Sequence, residues 1–347
     1  MQRNDKNEER KIYEKVCQSM CESGYNVFEY CPAPGGSNNP ILVTLDGGDR
    51  KYAKNLHSEG NPLSVIFAYK VLNKLGFAPS ASLIVDNSGG YIGVFDDLSH
   101  KINDTNYRFY TFAELESIYG QRNGSYGDLP NFASQKIESL EDKKTKMMIK
   151  CYELSCLYNL FKLYDTGRAN TGITIKYQSD NDIKSIEPSI CDFRVQRKLQ
   201  ENESFVFKID GGLKCEGYDN FKPLLPRLSY FNLFSSIETQ SPSKYISYFQ
   251  NNSDIENSKI LELTLKRLIN GTQTDKTSQT KAGKPQLMDA INASYAEIHK
   301  ILGTEAFMNK SDNEHIKNKQ EFEEYYKGIQ IRLQSAIQKT EHTTMQK

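Results

Sequence analysis

The chain has 347 residues, 37% of them hydrophobic and 25% charged, enough for one large two-lobed unit or two modules around a sizeable core. Its 44 Lys and Arg balance 44 Asp and Glu, which excludes the markedly basic character of a general nucleic-acid binder. Seven Cys without a CxxC pair suggest no zinc or disulfide framework and point to a reducing compartment. The charged opening Met1–Lys11 lacks the apolar core of a secretory signal, and no run approaches the roughly 20 apolar residues that span a bilayer, so a soluble protein is expected.

In chain order, a polar helix over Asn7–Ser23 precedes a strand at Tyr25–Tyr30. The turn-rich segment Pro32–Pro40 leads to a second strand, Ile41–Leu45. Asp46-Gly47-Gly48-Asp49 then predicts a tight hairpin into a third strand, Lys51–Leu56. Asn61 can cap a following helix whose first turn holds Pro62, and Gly76 closes it. Two short strands, Ser82–Val85 and Tyr91–Phe95, complete a strand–strand–strand–helix–strand–strand order. Residues 100–140 are loop-rich and resist assignment. Asp142–Tyr164 reads as a long buried helix, and Gly172–Tyr177 with Ser185–Cys191 as a hairpin. Beyond about 220 the pattern is mainly helical, with Gly271–Pro285 the best candidate for a mobile loop. Amphipathic helices at Leu287–Leu302 and Asn313–Lys339 end the chain, whose last few residues are expected to fray.

Phosphoryl transfer requires a grip on phosphates, a carboxylate that orients the attacking hydroxyl, and oxygen ligands for a divalent cation. Asp165 and Asn170 stand five positions apart in a loop between the buried helix and the hairpin. After the hairpin, Asp192 is followed by the large apolar Phe193. This set resembles the protein-kinase superfamily. Asp165 matches the catalytic aspartate of the catalytic loop, Asn170 its metal-binding asparagine, and Asp192 the first residue of the Asp-Phe-Gly metal motif. The preceding order of strands and helix matches too, over roughly residues 25–200.

The resemblance implies an α+β, two-lobed protein-kinase-like fold, with a small antiparallel-sheet N-lobe and a mainly helical, divergent C-lobe. Residues 1–24 would be a helical extension, 25–98 the N-lobe and 99–347 the C-lobe. It implies ATP with Mg²⁺ or Mn²⁺ as cofactors. Lys54 is the first choice for the lysine that holds the nucleotide phosphates and Lys51 the second, because a one-residue change of register reverses strand faces. Glu59 is the acid placed to pair with that lysine. Gly35, Gly36 and Ser37 lie where the family covers the phosphates, although the Gly-x-Gly-x-x-Gly spacing is missing and a plain hairpin turn fits equally. Phe95, Asp96 and Asp97 follow the fifth strand, at the adenine edge, and Arg168 lies near a position that touches the transferred phosphate.

Departures from the pattern define an atypical member. Tyr164 replaces the Arg before the catalytic aspartate, Arg194 replaces the glycine after Asp-Phe, and no Ala-Pro-Glu motif follows. Such reduced patterns occur among atypical bacterial kinases, including those delivered into a host cytoplasm. Two basic clusters, Lys143, Lys144, Lys146 and Lys150, and Arg194, Arg197 and Lys198, read as solvated faces or as a site for an inositol polyphosphate or phosphoinositide. The expected function is an atypical kinase acting on protein, itself included. A pseudokinase scaffold, a lipid or small-molecule kinase and an AMP transferase are the alternatives.

Overall fold

A computed structural model describes residues 2–33, 40–56, 60–87, 89–99, 101–102, 105–111, 113–114, 150, 153–154, 156–158, 160–166, 169–178, 183–195, 268–269, 287–304, 307 and 313–345. Helix α1 (Gln2–Glu22) comes first, followed by strands β1 (Val27–Pro32), β2 (Ile41–Leu45) and β3 (Arg50–Asn55). Helix α2 (Pro62–Lys74) separates these from β4 (Ala81–Val85) and β5 (Tyr91–Asp96). The five strands form one antiparallel sheet in the order β1-β2-β3-β5-β4. The crossover that seats β5 between β3 and β4 is the one feature that the pairing of sequence neighbours does not dictate.

Both faces of this sheet are covered. On the outer face α1 packs Val16, Cys17 and Met20 against Ile41, Val43, Ala53, Ile84, Ile92 and Val94. On the inner face lies α2, apolar nearly all round and buried from Pro62 to Tyr69 and again at Val71 and Leu72. Asn61 caps α2 through its Oδ1, which accepts from the Ser64 N–H at 3.1 Å, and Pro62 opens the first turn without an N–H to satisfy. Gly76 closes it at φ 84°, as the sequence predicts.

A second antiparallel sheet holds β6 (Lys101–Ile102), β7 (Thr105–Thr111), β9 (Thr171–Tyr177) and β10 (Ile183–Ile190) in the order β10-β9-β7-β6. Strands β6 and β7 fall in the stretch whose sequence resists assignment, because Thr105–Thr111 lacks clean alternation and is held by pairing with β9. Gly172 faces Thr111 at so close an approach that a Cβ would collide with the Tyr110 carbonyl. The short pair β8 (Leu163–Tyr164) and β11 (Arg194–Val195) brackets the candidate site. Residues 153–154, 156–158 and 160 are helical, inside the predicted long helix.

Two terminal helices, α3 (Leu287–Leu302) and α4 (Asn313–Met345), match the sequence expectation closely, with α4 running six residues past the predicted Lys339. Both pack on α2. Lys70 and Lys74 each bond Glu297 of α3 at 2.7 Å, and the Phe67 ring meets Phe322, Tyr325 and Tyr326 of α4 edge-on at 5.8–6.4 Å. Full burial of a ring such as Phe67 stabilises the packing by ~1.5–3 kcal/mol. The central helix of the first lobe is therefore held from the far side by the last helices of the chain. The segments predicted helical between 220 and 260 and the loop at 271–285 lie outside the described residues.

Candidate active site

Strand alternation decides which lysine of β3 points where. Lys51 stands opposite Asp96 in the β3–β5 register and pairs with its carboxylate at 2.5 Å. Lys54 lies on the face that holds Tyr52 and Phe95, almost fully buried, with its ammonium 5.5 Å from the Phe95 ring centroid. Its Nζ forms an ion pair with Asp192 Oδ1, a residue 138 positions further along the chain. A buried ammonium needs such a partner, since desolvation of an unpaired one costs several kcal/mol.

Asp192 is placed by its neighbours. The Ile190 N–H donates to Phe77 O at 2.8 Å, tying the end of β10 to the loop after α2. The Cys191 N–H donates to Asn170 O at 2.9 Å, and the Cys191 carbonyl accepts the Tyr69 hydroxyl at 3.0 Å. The Phe193 ring, fully buried, stacks on Tyr69 with centroids 4.1 Å apart and planes at 24°. Two residues further on, Val195 O lies so near Gly60 that any Cβ there would come within 2.7 Å, at a φ of 119° that other residues rarely adopt. Burial, with the nearby Asp192 charge, raises the Cys191 thiol to about 12 and keeps it a protonated donor toward Asn170 O at 3.3 Å.

The Asp165 segment is built differently. Lys162 and Asp165 both take left-handed backbone, φ 49° and 60°, so the chain turns sharply out of the helix, through β8 and into the loop. Asn170 Nδ2 donates to the Asp165 carbonyl at 2.7 Å, closing that loop, and Thr171 Oγ1 donates to Thr166 O at 2.8 Å while accepting from the Tyr158 hydroxyl at 3.0 Å. Asn170 therefore touches both segments: its side chain holds Asp165 and its carbonyl holds Cys191. Arg194 reaches Asp165 Oδ2 at 3.5 Å from the β8–β11 pair, where it stands directly opposite Tyr164.

The structure brings together Lys54, Phe95, Asp165, Asn170, Asp192 and Arg194. It sets Lys51 and Asp96 apart in their own ion pair, and buries Asp97 with Arg50 at 3.3 Å and the Ser99 N–H at 2.9 Å. Lys150 is paired with Glu187 at 2.6 Å. Gly35, Gly36, Ser37, Glu59, Lys143, Lys144, Lys146, Arg168, Arg197 and Lys198 lie outside the described residues. Tyr69 is the residue the sequence reading missed. The signal was there: it is an aromatic three positions after Ile66 on a helix whose apolar face is the only one available to meet Phe193.

Among the described residues no three His, Cys, Asp or Glu side chains gather to hold a metal ion. The set at hand is the Asp192 carboxylate and the Asn170 amide, on segments joined by the Cys191 N–H to Asn170 O bond. Both carry hard oxygen donors of the kind that suits Mg²⁺ or Mn²⁺. That donor chemistry fits the cation.

The sheet order, the helix after the third strand and the meeting of the two aspartate segments below that sheet define a two-lobed, protein-kinase-like α+β fold. No family model and no curated protein matches the chain. Among solved structures it is similar to the Helicobacter pylori proinflammatory kinase CtkA, at 13% identity over 89% of this chain and 96% of that one, with a TM-score of 0.39. It is also similar to the Golgi casein kinase, at 10% identity over 90% and 74%, TM-score 0.33. A third is the Rio2 kinase from Chaetomium thermophilum in an ADP/Mg²⁺-phosphoaspartate complex, at 13% identity over 82% and 75%, TM-score 0.32. No described helix is long and apolar enough to cross a membrane.

Proposed function

We propose that this chain is an atypical ATP- and divalent-metal-dependent kinase that phosphorylates protein hydroxyls, its own included. The single observation that carries this reading is the pairing of Lys54 with Asp192 beside the Asn170 bridge to Asp165, three sequence segments joined in one place. A packing core does not need a lysine, two aspartates and an asparagine at one junction, whereas positioning and charge neutralisation are nearly all that phosphoryl transfer asks of a protein.

In this reading Lys54 would meet the α- and β-phosphates, and Asp192 and Asn170 would hold the divalent cation. When bound, the cation would supply neutralisation of the phosphate charge. Asp165 accepts the proton of the acceptor hydroxyl as that oxygen bonds to the γ-phosphorus and the bond to the β–γ bridging oxygen breaks. Arg194 keeps the Asp165 carboxylate turned toward the acceptor. Asp165 is 52% exposed at its side chain, so a protein acceptor can reach it.

The same proposal includes a bacterial effector role in a host cytoplasm and a switch by an inositol polyphosphate. The effector role rests on composition and the reduced second-lobe pattern, and the switch on the basic clusters, of which Lys150 and Arg194 already carry acidic partners. Incubation with γ-labelled ATP and Mn²⁺ or Mg²⁺, with and without inositol hexakisphosphate, tests the whole. Transfer that falls about 10²–10⁴-fold in Asp165→Asn at an unchanged melting temperature is the expected result. Absence of label from the wild-type chain under every condition would overturn it.

A further inference from the structure

Helix α4 is polar overall yet carries a continuous buried stripe: Asn318, Phe322, Tyr325, Tyr326, Ile329, Arg332 and Leu333, spaced by threes and fours. An arginine at 3% exposure within an apolar stripe is costly unless its N–H groups are used. Arg332 Nε donates to Leu160 O at 3.2 Å, and the fully buried Tyr325 hydroxyl donates to Phe161 O at 2.7 Å. These two carbonyls sit where the buried helix ends. The Phe161 N–H still closes a helical bond to Leu157 O at 2.9 Å, and Lys162 then breaks away at φ 49°. The last carbonyls of a helix have no partner within it, and here two residues one heptad apart on another helix supply the partners. Burial raises the Tyr325 phenol above its ordinary range, so it stays a donor, and the cation near a helix C-terminus is favourable on its own account.

Four residues after Phe161 stands Asp165. The same stretch of α4 grips α2: Phe322, Tyr325 and Tyr326 meet Phe67, and Asn318 O accepts from Asn61 Nδ2 at 2.7 Å. Through Tyr69, α2 in turn holds the Asp192 segment. One helix near the end of the chain therefore fixes the approach to one aspartate directly and to the other through α2.

We infer that Tyr325 and Arg332 are positioning residues for transfer, setting Asp165 against the Lys54–Asp192 pair and doing for this chain what an ordered activation segment does elsewhere. The inference rests on the phosphotransferase reading for its consequence, not for its geometry. Its test uses the full chain with Tyr325→Phe, Arg332→Met and Arg332→Lys. Label transfer gives kcat and the ATP KM, and amide hydrogen exchange is followed over residues 160–166 and 189–195. Tyr325→Phe and Arg332→Met should lower kcat about ten- to a hundredfold with the ATP KM nearly unchanged. Exchange should accelerate over 160–166 and not over 189–195, and Arg332→Lys should recover part of both. Unchanged exchange over 160–166 in folded Tyr325→Phe would overturn the inference, as would faster exchange there with kcat intact. If the wild type transfers no label, the phosphotransferase reading fails, and with it the catalytic consequence; the exchange arm then reports the strut alone.

Discussion

The two aspartate segments do the same kind of work and are held by opposite means. Asp192 sits on packing: a buried Phe193 ring on Tyr69, a buried lysine at its carboxylate, and backbone contacts to Phe77 and Asn170. Asp165 sits on hydrogen bonds around left-handed backbone, with its side chain half-exposed and Arg194 3.5 Å from its carboxylate. The Asp192 segment is thereby anchored in the core through Phe193, where its position is coupled to stability, while the carboxylate itself stays 38% exposed. The Asp165 carboxylate lies nearer the surface, on a segment held by hydrogen bonds and not by a buried ring.

The largest blow to this contrast would come from Phe193→Ala. Removing a fully buried ring that packs on α2 should cost about 3–5 kcal/mol of stability, read as a drop in the denaturant midpoint. Arg194→Ala, one residue away but in a partly exposed pair, should cost under about 1 kcal/mol. Equal losses would erase the distinction between a packed and a solvated segment.

A finer cut is Tyr69→Phe, which keeps the stack on Phe193 and deletes the hydroxyl that Cys191 O accepts. A stability loss of about 1 kcal/mol is expected, seen by urea titration, with the partly buried carbonyl left without that donor. No change would mean that the ring alone positions the segment.

The smallest effect concerns the grip of α3 on α2. Burial pushes the Glu297 carboxyl up, and the bonds from Lys70 and Lys74 more than offset it, leaving the group below its ordinary value of 4.5. A carboxyl whose folded value lies below its unfolded one stabilises fully above the unfolded value, and that contribution disappears as pH falls through the folded one. The melting-temperature difference between wild type and Glu297→Gln should thus be present at pH 7 and shrink below pH 4.5. A difference that grows on acidification would reverse the assigned sign.

Much of this was legible in the sequence because local chemistry and global fold agree. Asn61-Pro62 starts α2 and Gly76 stops it, Asp46-Gly47-Gly48 turns β2 into β3, and the segments of Asp165, Asn170 and Asp192, grouped by their spacing, meet in space. The choice between Lys54 and Lys51 was not legible, since it depends on a register fixed by β5 and on a partner 138 positions away. Strand β7 was hidden for a related reason: its residues lack alternation and gain their order from β9. The packing of α4 on α2, and with it Tyr325 and Arg332, joins ends of the chain more than 250 positions apart, as Asn61 with Asn318 shows, and no local pattern encodes such a contact.

Calorimetric titration of Mn·ATP into the wild type, Asp192→Asn and Lys54→Met addresses the central claim most directly. Binding that requires Mn²⁺ in the wild type, loses that requirement in Asp192→Asn and weakens at least tenfold in Lys54→Met is the outcome the account predicts, a shift of about 1.4 kcal/mol or more. Equal affinity in all three, with or without the metal, would contradict it and leave the Lys54–Asp192 pair as a structural tie.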